Sequence, residues 1–368
     1  MRNILLSTTA LTLTAGIAAA DVSVSGSFKL GFNDTDSNEA ATGTPAKLGS
    51  IAADGTTYVA GASASTGHVA AETHDNNYGV YNDAGITFAM SSTMDNGMAV
   101  SATVDMNGGD TKNNATDSYT LGLASDGLNV AFGSTEYSAR SAWKSAGSMA
   151  TDGWFNQNDA GGNVLKASAN LGGLAVSASS LVTTGAKASP NAVSISVAGG
   201  LGGATYVIAN EGSMMGVSVG TALGGATVTS AYSTDGTDTS TGVKIAYPAG
   251  AITTTASYVV ESAVATIDAW DLSAKYSAGG STVTVSTDEG SDNKIEGSTT
   301  LGGATVNLGL TDKLEDMYLA VTNPLGGGAS IMASYAVEGT GSEGTDAKDE
   351  VGGPDYQEGL TVELSFKF

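Results

Sequence analysis

The chain has no cysteine, 5 prolines and, beyond its first twenty residues, Arg140 as its sole arginine. Without cysteine there is no disulfide framework and no thiolate metal or redox site. Basic residues are scarce in general: 14 against 37 acidic ones, for a net charge of −23. A nucleic-acid partner needs a basic face, so none is expected. Histidine is scarcer still. His68 and His74, near Glu72 and Asp75 in a long loop, are a weak basis for a metal site, and no metal is expected. No Ser-His-Asp arrangement, phosphate loop or zinc signature is present, which excludes the familiar enzyme classes. Asp34, Asp36 and Asn38 imitate the start of a calcium loop but lack its Gly and closing Glu. Long hydrophobic runs are missing too: after residue 20 none reaches the length of a membrane helix. Yet 41% of residues are hydrophobic, too many for a solvated, disordered tail.

What the chain has is a signal and a pattern. Residues 1–20 begin with Arg2, continue through the apolar Ile4 to Ala18, and end in Ala18-Ala19-Ala20. That is the layout of a secretory signal peptide, leaving 21–368 as one domain. Beyond it, apolar residues alternate with small polar ones. In MMGVSVGTALGGATVTSAYS (214–233), Met215, Val217 and Val219 share one parity before the turn, and Ala226, Val228 and Tyr232 share one after it. Side chains on a strand switch faces at every residue, so one face is apolar and the other polar. The pentapeptide LGGAT occurs at 201–205, 223–227 and 301–305. Gly-Gly can take positive φ at both central positions of a tight hairpin turn, so each copy reads as a hairpin tip.

The same unit recurs with turns at Asp95-Asn96-Gly97, Asp126-Gly127, Gly172-Gly173, Pro248-Ala249-Gly250, Ala278-Gly279-Gly280 and Gly326–Gly328. These hairpins supply eighteen strands, and 21–32 and 359–368 bring the count to about twenty. Between the hairpins lie 33–78, 107–117, 134–162, 181–190, 233–241, 287–293 and 338–358, some too long for a compact soluble domain. Short turns at one rim and long loops at the other describe a transmembrane, antiparallel, up-and-down β-barrel.

Charge phase supports this. Lys29, Lys166, Lys244, Lys275 and Lys367 each sit between apolar neighbours, as do Asp105, Asn129 and Glu363. All therefore fall on the parity opposite the apolar one. A charge facing lipid at mid-membrane would cost about 2–4 kcal/mol. Phe32, Tyr119, Tyr206, Tyr232, Tyr247, Tyr258 and Trp270 share the apolar parity near strand ends, as an interfacial girdle requires.

The segment FAMSSTMDNG (88–97), the start DVSVSG (21–26) and the alternating end LTVELSFKF (360–368) with its terminal Phe resemble alphaproteobacterial general-diffusion porins. The resemblance implies an outer-membrane barrel, usually a homotrimer, in contact with membrane lipid and lipopolysaccharide. It also implies an inward-folded third long loop that narrows a water-filled pore. Here that loop is 134–162, with Trp143, Trp154, Glu136, Arg140, Lys144, Asp152 and Asp159. The expected wall comprises Lys29, Asp83, Asp105, Lys166, Lys244 and Lys275. Two departures stand out. Asp83 and Gly85 occupy a strand where the family tends to carry Arg, and the family typically has about sixteen strands. With few wall arginines, the transverse field is expected to be weak.

No cofactor is expected. The acids of 338–358 read first as hydrated surface and second as loose Ca or Mg binders. The resulting expectation is a channel for small hydrophilic solutes, cation-preferring and not an enzyme. The alternative is a secreted acidic, Gly- and Thr-rich adhesin or surface-layer β-protein.

Overall fold

The computed structural model describes residues 21–34, 50–51, 58–59, 79–107, 118–154, 163–182, 193–262, 268–337, 350–354 and 356–368. Twenty strands form one closed sheet. The first ten are β1 (Asp21–Asn33), β2 (Val80–Thr93), β3 (Ala99–Asn107), β4 (Ser118–Ser125), β5 (Leu128–Gly133), β6 (Asn163–Leu171), β7 (Leu174–Val182), β8 (Val193–Leu201), β9 (Ala204–Glu211) and β10 (Met214–Leu223). The rest are β11 (Ala226–Thr234), β12 (Thr239–Ala249), β13 (Ile252–Glu261), β14 (Ala269–Ala278), β15 (Ser281–Asp288), β16 (Lys294–Leu301), β17 (Ala304–Thr311), β18 (Asp316–Gly326), β19 (Ala329–Val337) and β20 (Gly359–Lys367). Each pairs antiparallel with its sequence neighbours, and β1 pairs with both β2 and β20, closing the ring. Closure satisfies every ladder and leaves no sheet edge, as a membrane-spanning sheet requires. Among the described residues no helix is long and apolar enough to cross a membrane.

The repeated turns have one geometry. Gly202 and Gly203 have φ of 59° and 87°, Gly224 and Gly225 59° and 88°, and Gly302 and Gly303 59° and 92°. Positive φ at both central positions makes the tight reversal whose twist matches the flanking strands. The leucine before each pair is among the most exposed in the chain: Leu201 at 78%, Leu223 at 70% and Leu301 at 63%. These leucines stand on the outer face at the rim, where membrane lipid would cover them.

The outer face carries Phe28, Leu30, Ile208, Val243, Leu272, Leu319 and Phe366, all exposed in the isolated chain. Among the described strands of the barrel, the lumen face carries every charge, including Asp83, Asp105, Lys166, Lys244, Asp271, Lys275, Glu296 and Glu363. Four amides among the described strands depart from the expected phase. Asn82, Asn163 and Asn210 lie on the outer parity beside the loop rim and Asn323 on it near the turn rim, and the Asn210 amide is held by the Met214 carbonyl at 2.9 Å.

The strand boundaries correct the sequence reading in places. Pro248 and Ala249 belong to β12, and the chain reverses at Gly250 and Ala251. The loop rim has three further connections that alternation left unassigned: 212–213, 262–268 and 312–315.

Close backbone approach explains two lumen glycines. Gly31 pairs with Tyr81 and Gly309 with Tyr318, and each tyrosine ring lies over its glycine where a Cβ would stand. The ring covers backbone that a side chain would otherwise shield.

Candidate functional site

Strand β5 is only 6 residues long, so the chain leaves the wall about halfway up the barrel. Gly133, at φ 120°, lies tight against the Tyr119 carbonyl, and the Ser134 amide donates to that carbonyl at 2.7 Å. From there residues 134–154 run inward and return. A short helix, α1 (Ser138–Ala142), starts the excursion.

Small hydroxyls of the wall hold it. The Ser138 amide donates to Ser179 Oγ on β7 at 2.8 Å, and the Ala139 amide to Ser194 Oγ on β8 at 2.8 Å. Farther along, the Thr151 amide donates to Ser240 Oγ on β12 at 3.0 Å, and the Ala150 amide to Glu261 Oε1 on β13 at 3.0 Å. Apolar contacts fill between these anchors. Ala146 and Met149 pack with Ala231, Val259 and Ala269. Ala139 and Trp154 pack with Ala209 and Met214, and Trp143 borders both groups. The two indoles meet edge to face at 5.5 Å. Trp143 rests on Gly216, where a Cβ would collide with its ring. The segment thus follows the inner wall from β7 to β14, as an inward-folded third loop should.

The expected loop residues are placed as follows. Arg140 pairs with Glu136 at 3.7 Å and donates to the Trp154 carbonyl at 3.4 Å. Asp152 accepts from Trp143 Nε1 at 3.0 Å. Lys144 lies beside Trp143, at the edge of a cavity that Lys244 also lines. Burial, then the Glu211 carboxylate, pushes the Tyr137 phenol up. Asp159 lies outside the described residues, as do His68, His74 and the signal-like segment.

On the wall, Lys166 Nζ donates to Ser141 Oγ at 2.7 Å, tying β6 to the loop. Lys29 and Asp83 are direct cross-strand neighbours. Asp105 accepts from Thr87 Oγ1 at 2.6 Å and Ser118 Oγ at 3.1 Å. Lys275 sits between Thr253 and Thr284 on the lumen side of its ladders. Loop and wall charges therefore do not gather at one point. Lys144 stands on the loop and Lys166 and Lys244 lie against it, whereas Lys29, Asp83 and Asp105 occupy the β1–β3 wall beyond its footprint. Among the described residues, no group of three or more His, Asp or Glu is arranged to hold a metal.

A second inward element was missed by the sequence reading, which assigned all of 338–358 to the outer surface. Val351 and Tyr356 are buried against Tyr318, Ala320 and Ala336. The Tyr318 and Tyr356 rings lie 5.2 Å apart. Tyr318 Oη donates to Glu296 Oε1 at 2.8 Å, the Gly353 amide donates to the same oxygen at 3.2 Å, and Asn307 Nδ2 donates to Tyr356 Oη at 2.9 Å. This strap covers the wall from β16 to β19, an arc separate from the loop's. A sequence signal existed for both footprints: apolar residues on the polar parity. Ala209, Ala231 and Val259 mark the loop, and Tyr318, Ala320 and Ala336 the strap.

A sequence model described as Gram-negative porin matches residues 7–343. No curated protein sequence matches the chain. Solved structures similar to it include three engineered mutants of Rhodopseudomonas blastica porin. They are 13%, 13% and 14% identical, with TM-scores of 0.40, 0.42 and 0.40. Each comparison covers 94% of this chain and 100% of the other. On the strength of the family match, this closed barrel with its inward loop belongs to the Gram-negative porin family.

Proposed function

We propose that this outer-membrane porin is a passive, water-filled channel for small hydrophilic solutes and ions, with a preference for cations. One observation carries the reading: a segment of the chain is fastened by hydrogen bonds across the inner wall of a closed barrel with a hydrophilic lumen face. Such a segment narrows the bore without closing it and is held stiffly enough to sieve by size. Solutes cross by diffusion, keeping part of their hydration among serine and threonine hydroxyls.

Charge supports the cation preference. The lumen face bears Asp83, Asp105, Glu211, Glu261, Asp271, Asp288, Glu296 and Glu363 among its acids, against Lys29, Lys166, Lys244, Lys275, Lys294 and Lys367. Arg140 is offset by Glu136. A lumen with excess fixed negative charge concentrates cations and repels anions. Cleavage after residue 20, assembly as a homotrimer and contact with lipopolysaccharide complete the reading. Loose Ca or Mg binding by the acidic loops accompanies it. Nothing in the barrel favours a secreted adhesin, and the family points to a channel in place of an enzyme.

Liposome swelling tests the proposal. Reconstituted protein should admit neutral sugars at rates that fall steeply with sugar size. No swelling, or rates independent of size, would overturn it.

A further inference from the structure

Lysines are few in this lumen, yet two of them share one cavity. Beneath the inward loop a recess of about 600 Å³ is roofed by Trp143, Lys144 and Ser145 and descends along β9–β12 to the turn glycine Gly203. Lys244 lines its wall, together with Ser218 and Thr229, and among the described residues no carboxylate lines it. Short turns mark the periplasmic rim of such barrels, so the recess lies on the periplasmic side of the loop.

The charges on these strands are sorted by height. Strand β12 runs from the loop rim to the turn rim. It meets the loop at Ser240 and Gly242, and Lys244 follows two residues below. On β13, Glu261 holds the Ala150 amide from the loop-rim end. On β14, Asp271 lies level with Ser257, which touches the loop at Gly147, and Lys275 follows four residues below. Carboxylates thus lie level with or beyond the loop, and lysines below it. In a chain of net charge −23 this is a local reversal of sign. Two ammonium groups match the charge of a phosphate monoester, which accepts such charge-assisted hydrogen bonds well. The hydroxyls of Thr227 and Thr229, which line the recess without being buried, can pair with a hydroxylated body, and Ser145 Oγ, which donates to the Gly147 carbonyl, can still accept.

The geometry points to a binding recess for a small phosphate monoester on a sugar-like body, entered from the periplasmic side. It rests on the channel reading above. The bound anion sits under the loop and obstructs ion flow from that side.

Single-channel recording with glucose 6-phosphate tests this. Because the chain lacks cysteine, Asn96→Cys in a periplasmic turn gives each channel's orientation through its side of modification. Glucose 6-phosphate added on the periplasmic side should reduce the current, with glucose at equal concentration having no effect. Each variant's block is scaled to its own open current. The Lys144→Gln/Lys244→Gln pair should weaken block roughly tenfold or more, the loss expected for a charge-assisted hydrogen bond. Lys313→Gln, in a turn at the opposite rim, should leave block intact. Equal block from both sides, or block that survives in the double variant, would overturn the recess. Inorganic phosphate blocking as tightly as the sugar phosphate would overturn the hydroxylated ligand. A protein with no conductance would sink the channel reading itself, whereas a conducting channel without block would sink the recess alone.

Discussion

At the scale of single residues, the lumen face is a docking surface as much as a hydrophilic one. Ser194, Ser233 and Ser240 are fully buried beneath the loop; small hydroxyls let a foreign backbone approach while offering it acceptors. Glycine serves a related purpose where a ring must lie flat. Gly309→Val would displace Tyr318 from its slot and should lower stability by about 1–3 kcal/mol, as overpacking does. Urea unfolding in lipid would measure it, with Gly297→Ala, where a Cβ meets only ordinary contacts, as a near-neutral control. A second prediction concerns acid. The Asp235 carboxylate accepts from the Thr237 and Asp238 amides, each at 2.8 Å. The Asp238 amide, then that of Thr237, holds its carboxyl below the usual carboxylate range. A lowered folded value means the contribution is complete above the ordinary value of about 3.9 and is lost as pH falls through the folded one. Hydrogen exchange should show both amides protected above that range and released below it. In Asp235→Asn, which keeps an acceptor but does not titrate, this pH dependence should vanish.

At the scale of elements, strands and tight turns were legible because both are local properties. Alternation assigns faces and Gly-Gly assigns reversals, so the twenty strands follow from short windows of sequence. The strap was not legible. Glu296, Asn307, Tyr318 and Tyr356 are far apart in sequence, and seven acids between 338 and 358 suggest solvent. Only the apolar residues on the wrong parity of β18 and β19 hinted that something covers them. The short turns at 212–213 and 312–315 escaped for a different reason. They lack a glycine pair, and the latter turns instead through Asp312, Lys313 and Leu314 at positive φ. The strap yields a prediction of its own. Tyr356→Ala removes the ring stacked on Tyr318 and the hydrogen bond from Asn307, so the strap should lift. Single-channel conductance should rise, and larger polyethylene glycols should enter the pore. Unchanged conductance and polymer cut-off would show that the strap lies clear of the permeation path.

At the scale of the whole molecule, the candidate site was only partly legible. The family resemblance pointed to 134–162 as an inward-folded loop, and the inward course of 134–154 agrees. It could not show that Lys166 and Lys244 come to lie against the loop, in separate recesses, while Lys29, Asp83 and Asp105 line a separate arc, because that depends on where the loop comes to rest. On the proposed reading, the field across the bore is set by a diffuse excess of carboxylates with lysines as local corrections. Replacing Lys29 and Lys244 by Gln removes two of those corrections and should raise the cation-to-anion permeability ratio, read from reversal potentials in a salt gradient. The most direct test of the central claim is a planar-bilayer recording of the purified wild-type chain. It should show stepwise conductance with a reversal potential on the cation-preferring side; no steps, or a strong anion preference, would contradict it.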